Sequence, residues 1–67
     1  MTKDEAKQAL IDGKRIRHSG FTEDEWVEQH GREFLFEDGC RGHIREFWEI
    51  RHQDWWDDGW DVVKDQP

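Results

Sequence analysis

Apolar residues recur first at helical spacing and then at every second position, so the chain opens with a helix and continues as short strands. Over residues 2–12, Ala6, Ala9 and Leu10 fall at i, i+3 and i+4 and make one narrow helical stripe. Thr2 followed by Glu5 is a capping-box pattern at the start, and Gly13 stands where a left-handed stop belongs. Residues 14–18 alternate with Ile16 inward and end at Ser19-Gly20. Phe21 follows that turn, and Thr22, Glu23, Asp24 and Glu25 form a polar, acidic link.

Trp26, Val27, Glu28 and Gln29 predict a second strand, with His30-Gly31 as its tight turn. Residues 32–36 return antiparallel and are closed by Glu37, Asp38 and Gly39. Ile44, Phe47 and Trp48 then resume helical spacing, with Arg45 and Glu49 as an i,i+4 pair, so residues 43–51 predict a short helix. His52, Gln53 and Asp54 leave it, residues 55–59 turn, Trp60, Asp61, Val62 and Val63 form the last strand, and residues 64–67 are a tail. The fold class is α+β, with an N-terminal helix packed on a small, curved antiparallel sheet of about four strands and a short second helix before the last strand. Its core is expected to draw on Ala6, Leu10, Ile16, Phe34, Phe36, Phe47, Ile50, Trp60 and Val62. Open edges on so small a sheet could pair two copies into a homodimer.

The 67 residues allow one domain. A chain of this size buries only about 60% of its unfolded surface, so its core is marginal. Charged residues make up 40% and hydrophobic residues 33%, a balance that leans towards disorder. Five tryptophans and four phenylalanines reverse that reading, because large rings bury much area per residue. The lone cysteine, Cys40, excludes an internal disulfide and suits a reducing cytoplasm. No apolar run approaches a membrane span, and the first five residues lack the apolar stretch of a signal peptide. A net charge of −7 opposes nucleic-acid binding and favours a partner with a basic surface. The negative charge falls in two blocks, −6 over residues 21–40 and −4 over residues 54–67.

Little in the sequence carries chemistry. Cys40 and His43 have ligand-like spacing, and His30 and His52 could complete a tetrahedral site, but structural zinc usually shows two paired motifs. No metal and no cofactor is expected. His18, His30, His43 and His52 read as surface histidines. A Cys40–histidine nucleophile or a carboxylate pair is no more than seventeen acids and one thiol generate by chance, and no glycine-rich phosphate loop is present, so the expectation is no enzyme.

The distinctive stretch is residues 54–61, where Trp55, Trp56 and Trp60 alternate with Asp54, Asp57, Asp58 and Asp61. Trp60 belongs to the core. Trp55 and Trp56 point different ways on any local backbone, so at least one of them is exposed. The candidate partner-binding residues are therefore Trp55, Trp56, Asp54, Asp57, Asp58 and Asp61, with Glu23, Asp24 and Glu25 from the first acidic block.

The chain resembles a group of very small phage and prophage proteins. Residues 10–18 carry their "L-x-x-G-K-x-I-R-H", residues 47–51 their "F-W-x-I-R" and residues 56–63 their "W-x-x-G-W-x-V-V". It is more distantly similar to phage proteins of the Thoeris anti-defence type, which sequester a signalling nucleotide, though it lacks their longer central region. The resemblance implies a non-enzymatic phage protein in the bacterial cytoplasm that binds and modulates or inhibits a host protein. Two further readings remain open: a module that sequesters a small signalling nucleotide, and a structural or assembly component.

Overall fold

The computed structural model describes residues 1–64. Helix α1 runs over Lys3–Ile11, and its start is closed as the sequence predicts. The Glu5 N–H donates to Thr2 Oγ1 at 3.2 Å, and the Thr2 N–H donates to Glu5 Oε1 at 2.8 Å. Gly13 takes φ 87°, which ends the helix.

Strands β1 (Ile16–His18), β2 (Val27–His30), β3 (Glu33–Phe36) and β4 (Arg41–His43) follow, then helix α2 (Ile44–Glu49), a single 3-10 turn over Asp54–Trp56, and β5 (Trp60–Val62). All pairings are antiparallel, in the order β4-β3-β2-β1-β5. Period-two alternation sends Ile16, His18, Val27, Phe34 and Trp60 to one face, which is covered by Ala6, Ala9 and Leu10 of α1 and Phe47 of α2. Phe36 and Val62 pack partly buried at its margin.

The sheet has five strands rather than about four, and the extra one is β4. Arg41-Gly42-His43 carries no apolar side chain, so hydrophobic alternation cannot reveal it. Its inward position is Gly42, against which the Phe36 ring packs; a Cβ there would lie 3.1 Å from Phe36 Cε2.

Ile50 is not a core residue, being 68% exposed. Helix α2 ends at Glu49, and at about 100° per residue Ile50 falls well to one side of the face formed by Ile44, Phe47 and Trp48. Val27, Ala9 and Trp56 join the core instead. Of the predicted tail at residues 64–67, residues 65–67 lie outside the described residues.

Candidate partner-binding site

His18 organises the site, and it is not a surface histidine. It is 1% exposed, two residues after Ile16 on the same inward face of β1. The imidazole sits among rings, 4.4 Å from Trp56, 4.8 Å from Trp60 and 5.4 Å from Trp55. The Gly20 N–H donates to Nδ1 at 2.9 Å, so Nδ1 is an acceptor. Nε2 faces two carbonyls, Asp58 O at 2.7 Å and Trp55 O at 3.1 Å, so it is the donor. One side chain thus ties the turn after β1 to the 54–59 segment.

The 3-10 turn places its two tryptophans on opposite sides of the surface. Trp56 is 9% exposed and packs against Phe21 and Trp60, while Trp55 is 57% exposed. Of the two predicted anchors, only Trp55 is presented. Its ring is nonetheless fixed, with its centroid 4.0 Å from that of Trp56 and its edge against the backbone of Gly20. A Cβ at Gly20 would sit 2.6 Å from Trp55 Cζ3 and 3.2 Å from His18 Nδ1. Gly20→Ala must therefore push Trp55 outward, at a cost of about 1–3 kcal/mol. The expected readout is a red-shifted tryptophan emission with a lowered melting temperature; an unchanged emission would show that Trp55 does not rest on Gly20.

Asp54, Asp57, Asp58 and Asp61 are all exposed. They are not equally available. Asp57 lies 3.5 Å from Lys3 Nζ, and Asp58 lies 3.6 Å from the Met1 amine while accepting the Gly59 N–H at 2.9 Å. Asp61 accepts the Val62 N–H at 2.9 Å and stands opposite Arg17 in the β1–β5 register. In the first acidic block Glu23 and Asp24 are exposed, whereas Glu25 is half-buried and accepts the Thr22 N–H at 2.8 Å. Arg51 lies against both segments, its guanidinium 5.0 Å from the Trp56 ring and 5.8 Å from Phe21, with Glu25 acting on its charge. This arginine thus stands between residues of the two segments.

The opposite face of the sheet is laced with both signs of charge. Arg15 Nε meets Glu28 Oε2 at 3.1 Å and lies 4.1 Å over Trp26. His30 Nε2 meets Glu28 Oε1 at 3.1 Å, and Arg41 reaches Glu33 at 3.4 Å. The hydrogen bond from His30 and the contact with Arg15 hold the Glu28 carboxyl below its ordinary pKa. Lys14, Arg15 and Lys64 do line a hollow of about 400 Å³. Its neighbouring ring, Trp26, is already covered by Arg15. No family model, curated protein or solved structure matches the chain.

Among the described residues no three of His, Cys, Asp and Glu converge to hold a metal ion. Cys40 precedes β4 and His43 ends it, both exposed, and His52, also exposed, follows α2 in the chain. The Asp38 carboxylate hydrogen-bonds the Cys40 thiol and, with its charge, pushes the thiol pKa up. That is the reverse of what activates a nucleophilic cysteine. No described helix is long and apolar enough to cross a membrane.

Sequence reasoning missed His18, although a signal was available. If Ile16 faces inward on a strand, His18 does too. The choice between Trp55 and Trp56 had no such signal, because adjacent residues on a 3-10 turn follow no strand parity.

Proposed function

We propose that the protein is a non-enzymatic binding module that docks on a basic surface of a partner protein through Trp55 and the carboxylates near it in the chain. In the setting its resemblance to phage and prophage proteins implies, the partner is a bacterial host protein and docking modulates or inhibits it in the cytoplasm. The observation that carries this reading is Trp55, a large ring left 57% exposed yet locked by Trp56 and Gly20. A rigid aromatic anchor loses little entropy on binding and forms the centre of many hot spots. Beside it in the chain, Asp54, together with Asp57 as far as its pairing with Lys3 leaves it free, supplies the negative rim that steers a basic partner. Trp56 serves as the bed beneath Trp55 and makes no contact of its own with the partner. Asp58, Asp61 and Glu25 act mainly within the fold, while Glu23 and Asp24 extend the rim.

Capture of partners from bacterial lysate, followed by binding kinetics on the captured protein, tests the proposal. Trp55→Ala should keep the fold, lowering the melting temperature only modestly, and accelerate dissociation by about 2 kcal/mol or more. Asp54→Asn combined with Asp57→Asn should instead slow association and flatten its salt dependence, because rim charges act over about 8 Å at physiological ionic strength. A partner held equally by wild type and Trp55→Ala would overturn the reading.

A further inference from the structure

The two edges of the sheet are finished differently. On β5 three of the outward groups are covered: the Trp60 N–H donates to Met1 O at 3.2 Å, the Met1 amine donates to Trp60 O at 2.7 Å, and the Val62 N–H is taken by Asp61. On β4 they are not. The Phe36 N–H donates to Cys40 O at 2.9 Å, so that pair and Phe34↔Gly42 are the hydrogen-bonded ones of this hairpin. Arg41 and His43 therefore turn their N–H groups away from β3, as Arg41 does its C=O. An uncovered edge of this kind is a template for another strand.

Beside that edge, between β4 and α2, lies a groove of about 260 Å³ lined by the apolar Phe36, Gly42, Phe47 and Ile50 and by the polar His43 and Glu46. Ile50, which caps the C-terminal end of α2, is a large exposed aliphatic, and here its exposure has a use. Arg51 lines the same groove. Its guanidinium lies 3.9 Å over the Phe47 ring and its Nη1–H donates to Phe47 O at 3.2 Å. Its Nε is buried with no acceptor, and it forms no ion pair with a described carboxylate. A cation without an ion pair, lining a largely apolar groove, is matched by a carboxylate.

We propose that this groove binds the C-terminus of a partner polypeptide, which adds as a strand to β4, seats an apolar last residue against Phe36 and Ile50, and places its terminal carboxylate on Arg51. A chain terminus is the ligand that fits, because it carries an apolar side chain and a carboxylate on one carbon, and here both receptors line one small groove. Main-chain pairing supplies affinity and the groove supplies selectivity, as in other strand-addition sites. Trp55 does not line this groove, although Arg51 also lies 5.0 Å from the Trp56 ring on which Trp55 stacks.

The probe is an acetylated hexapeptide of alternating threonine and valine ending in leucine, prepared as the free acid and as the carboxamide, and titrated into the ¹⁵N-labelled full chain. The acid should shift the amides of Arg41, His43, Ile50 and Arg51 and bind about tenfold more tightly than the carboxamide, since one hydrogen bond to a charged group is worth about that factor. Arg51→Met should abolish the difference. His43→Pro removes an outward N–H at a residue whose φ is already −78°, so it should weaken both peptides while preserving the fold. Ile50→Glu, at an exposed position, gives a second folded variant that should lose binding. Equal affinity for acid and carboxamide would overturn the proposal, as would shifts confined to other surfaces. Movement of the β4 amides on protein dilution alone would also overturn it, by assigning the edge to a second copy.

Discussion

Trp60→Ala is expected to leave the protein without fixed tertiary structure at room temperature. Trp60 is 2% exposed, and its ring lies 5.2 Å from Trp48, 5.7 Å from Trp56, 5.8 Å from Phe21 and 6.3 Å from Phe47. It joins the aromatic layer under α2 to the cluster around His18. Truncating a buried tryptophan to alanine costs about 3–5 kcal/mol. The indole also donates Nε1–H to Trp56 O at 2.7 Å in a buried position, so the variant leaves that carbonyl without its donor. An unsatisfied buried acceptor adds about 1–3 kcal/mol. A domain of this size holds roughly 3–5 kcal/mol in all. Near-ultraviolet circular dichroism should disappear in Trp60→Ala and persist in Trp55→Ala. A Trp60→Ala variant that melts with wild type would move the centre of the core elsewhere.

The parts of this fold that were legible in the sequence are those with a local physical cause. Helix α1 is announced by Thr2 and Glu5 at one end and Gly13 at the other, and all three behave as their chemistry demands. The β2–β3 hairpin is equally local, because Gly31 at φ 63° lets the chain reverse between two runs of alternating residues. What escaped was set by tertiary neighbours. Strand β4 exists because β3 offers it a ladder and Phe36 needs a flat surface, and neither is visible in the letters Arg-Gly-His. Ile50 is apolar by composition but ends up beside the open edge, where helix geometry turns it outward. For the candidate site, the sequence pointed to the segment that presents Trp55 and to acids that are mostly exposed. It did not separate the carboxylates with work inside the fold, such as Asp58, from those facing solvent, such as Asp54.

His18 explains how so small a chain closes without a disulfide. The turn after β1 and the 54–59 segment carry few aliphatic side chains, and a purely apolar seam between them would leave several backbone groups unpaired. The imidazole satisfies three of them from one position and fills space between three indoles. The same contacts fix Trp55, because its carbonyl is held by His18 Nε2 and its ring rests on Gly20, whose N–H is held by His18 Nδ1. Stability and the presented anchor thus share one residue.

Replacing that residue separates its two roles. His18→Phe preserves a ring of similar size among Trp55, Trp56 and Trp60 but offers neither acceptor nor donor. The Gly20 N–H and the carbonyls of Trp55 and Asp58 would lose their partner, and these groups are only part-buried, so water recovers some of the loss. At about 1–3 kcal/mol for each group left truly dry, a net destabilisation of about 2 kcal/mol or more is expected. For a domain of this length that lowers the melting temperature by about 10 °C. His18→Ala adds a cavity to the same loss and should unfold the chain outright. Wild-type imidazole ¹⁵N resonances should place the proton on Nε2, as the two carbonyls facing it require. In His18→Phe, below its melting point, Trp55 should emit further to the red, and a bound partner should dissociate faster than from wild type. If His18→Phe melts with wild type, the ring is filler and the hydrogen bonds contribute nothing net. If it melts lower yet presents Trp55 unchanged, His18 holds the fold but not the anchor.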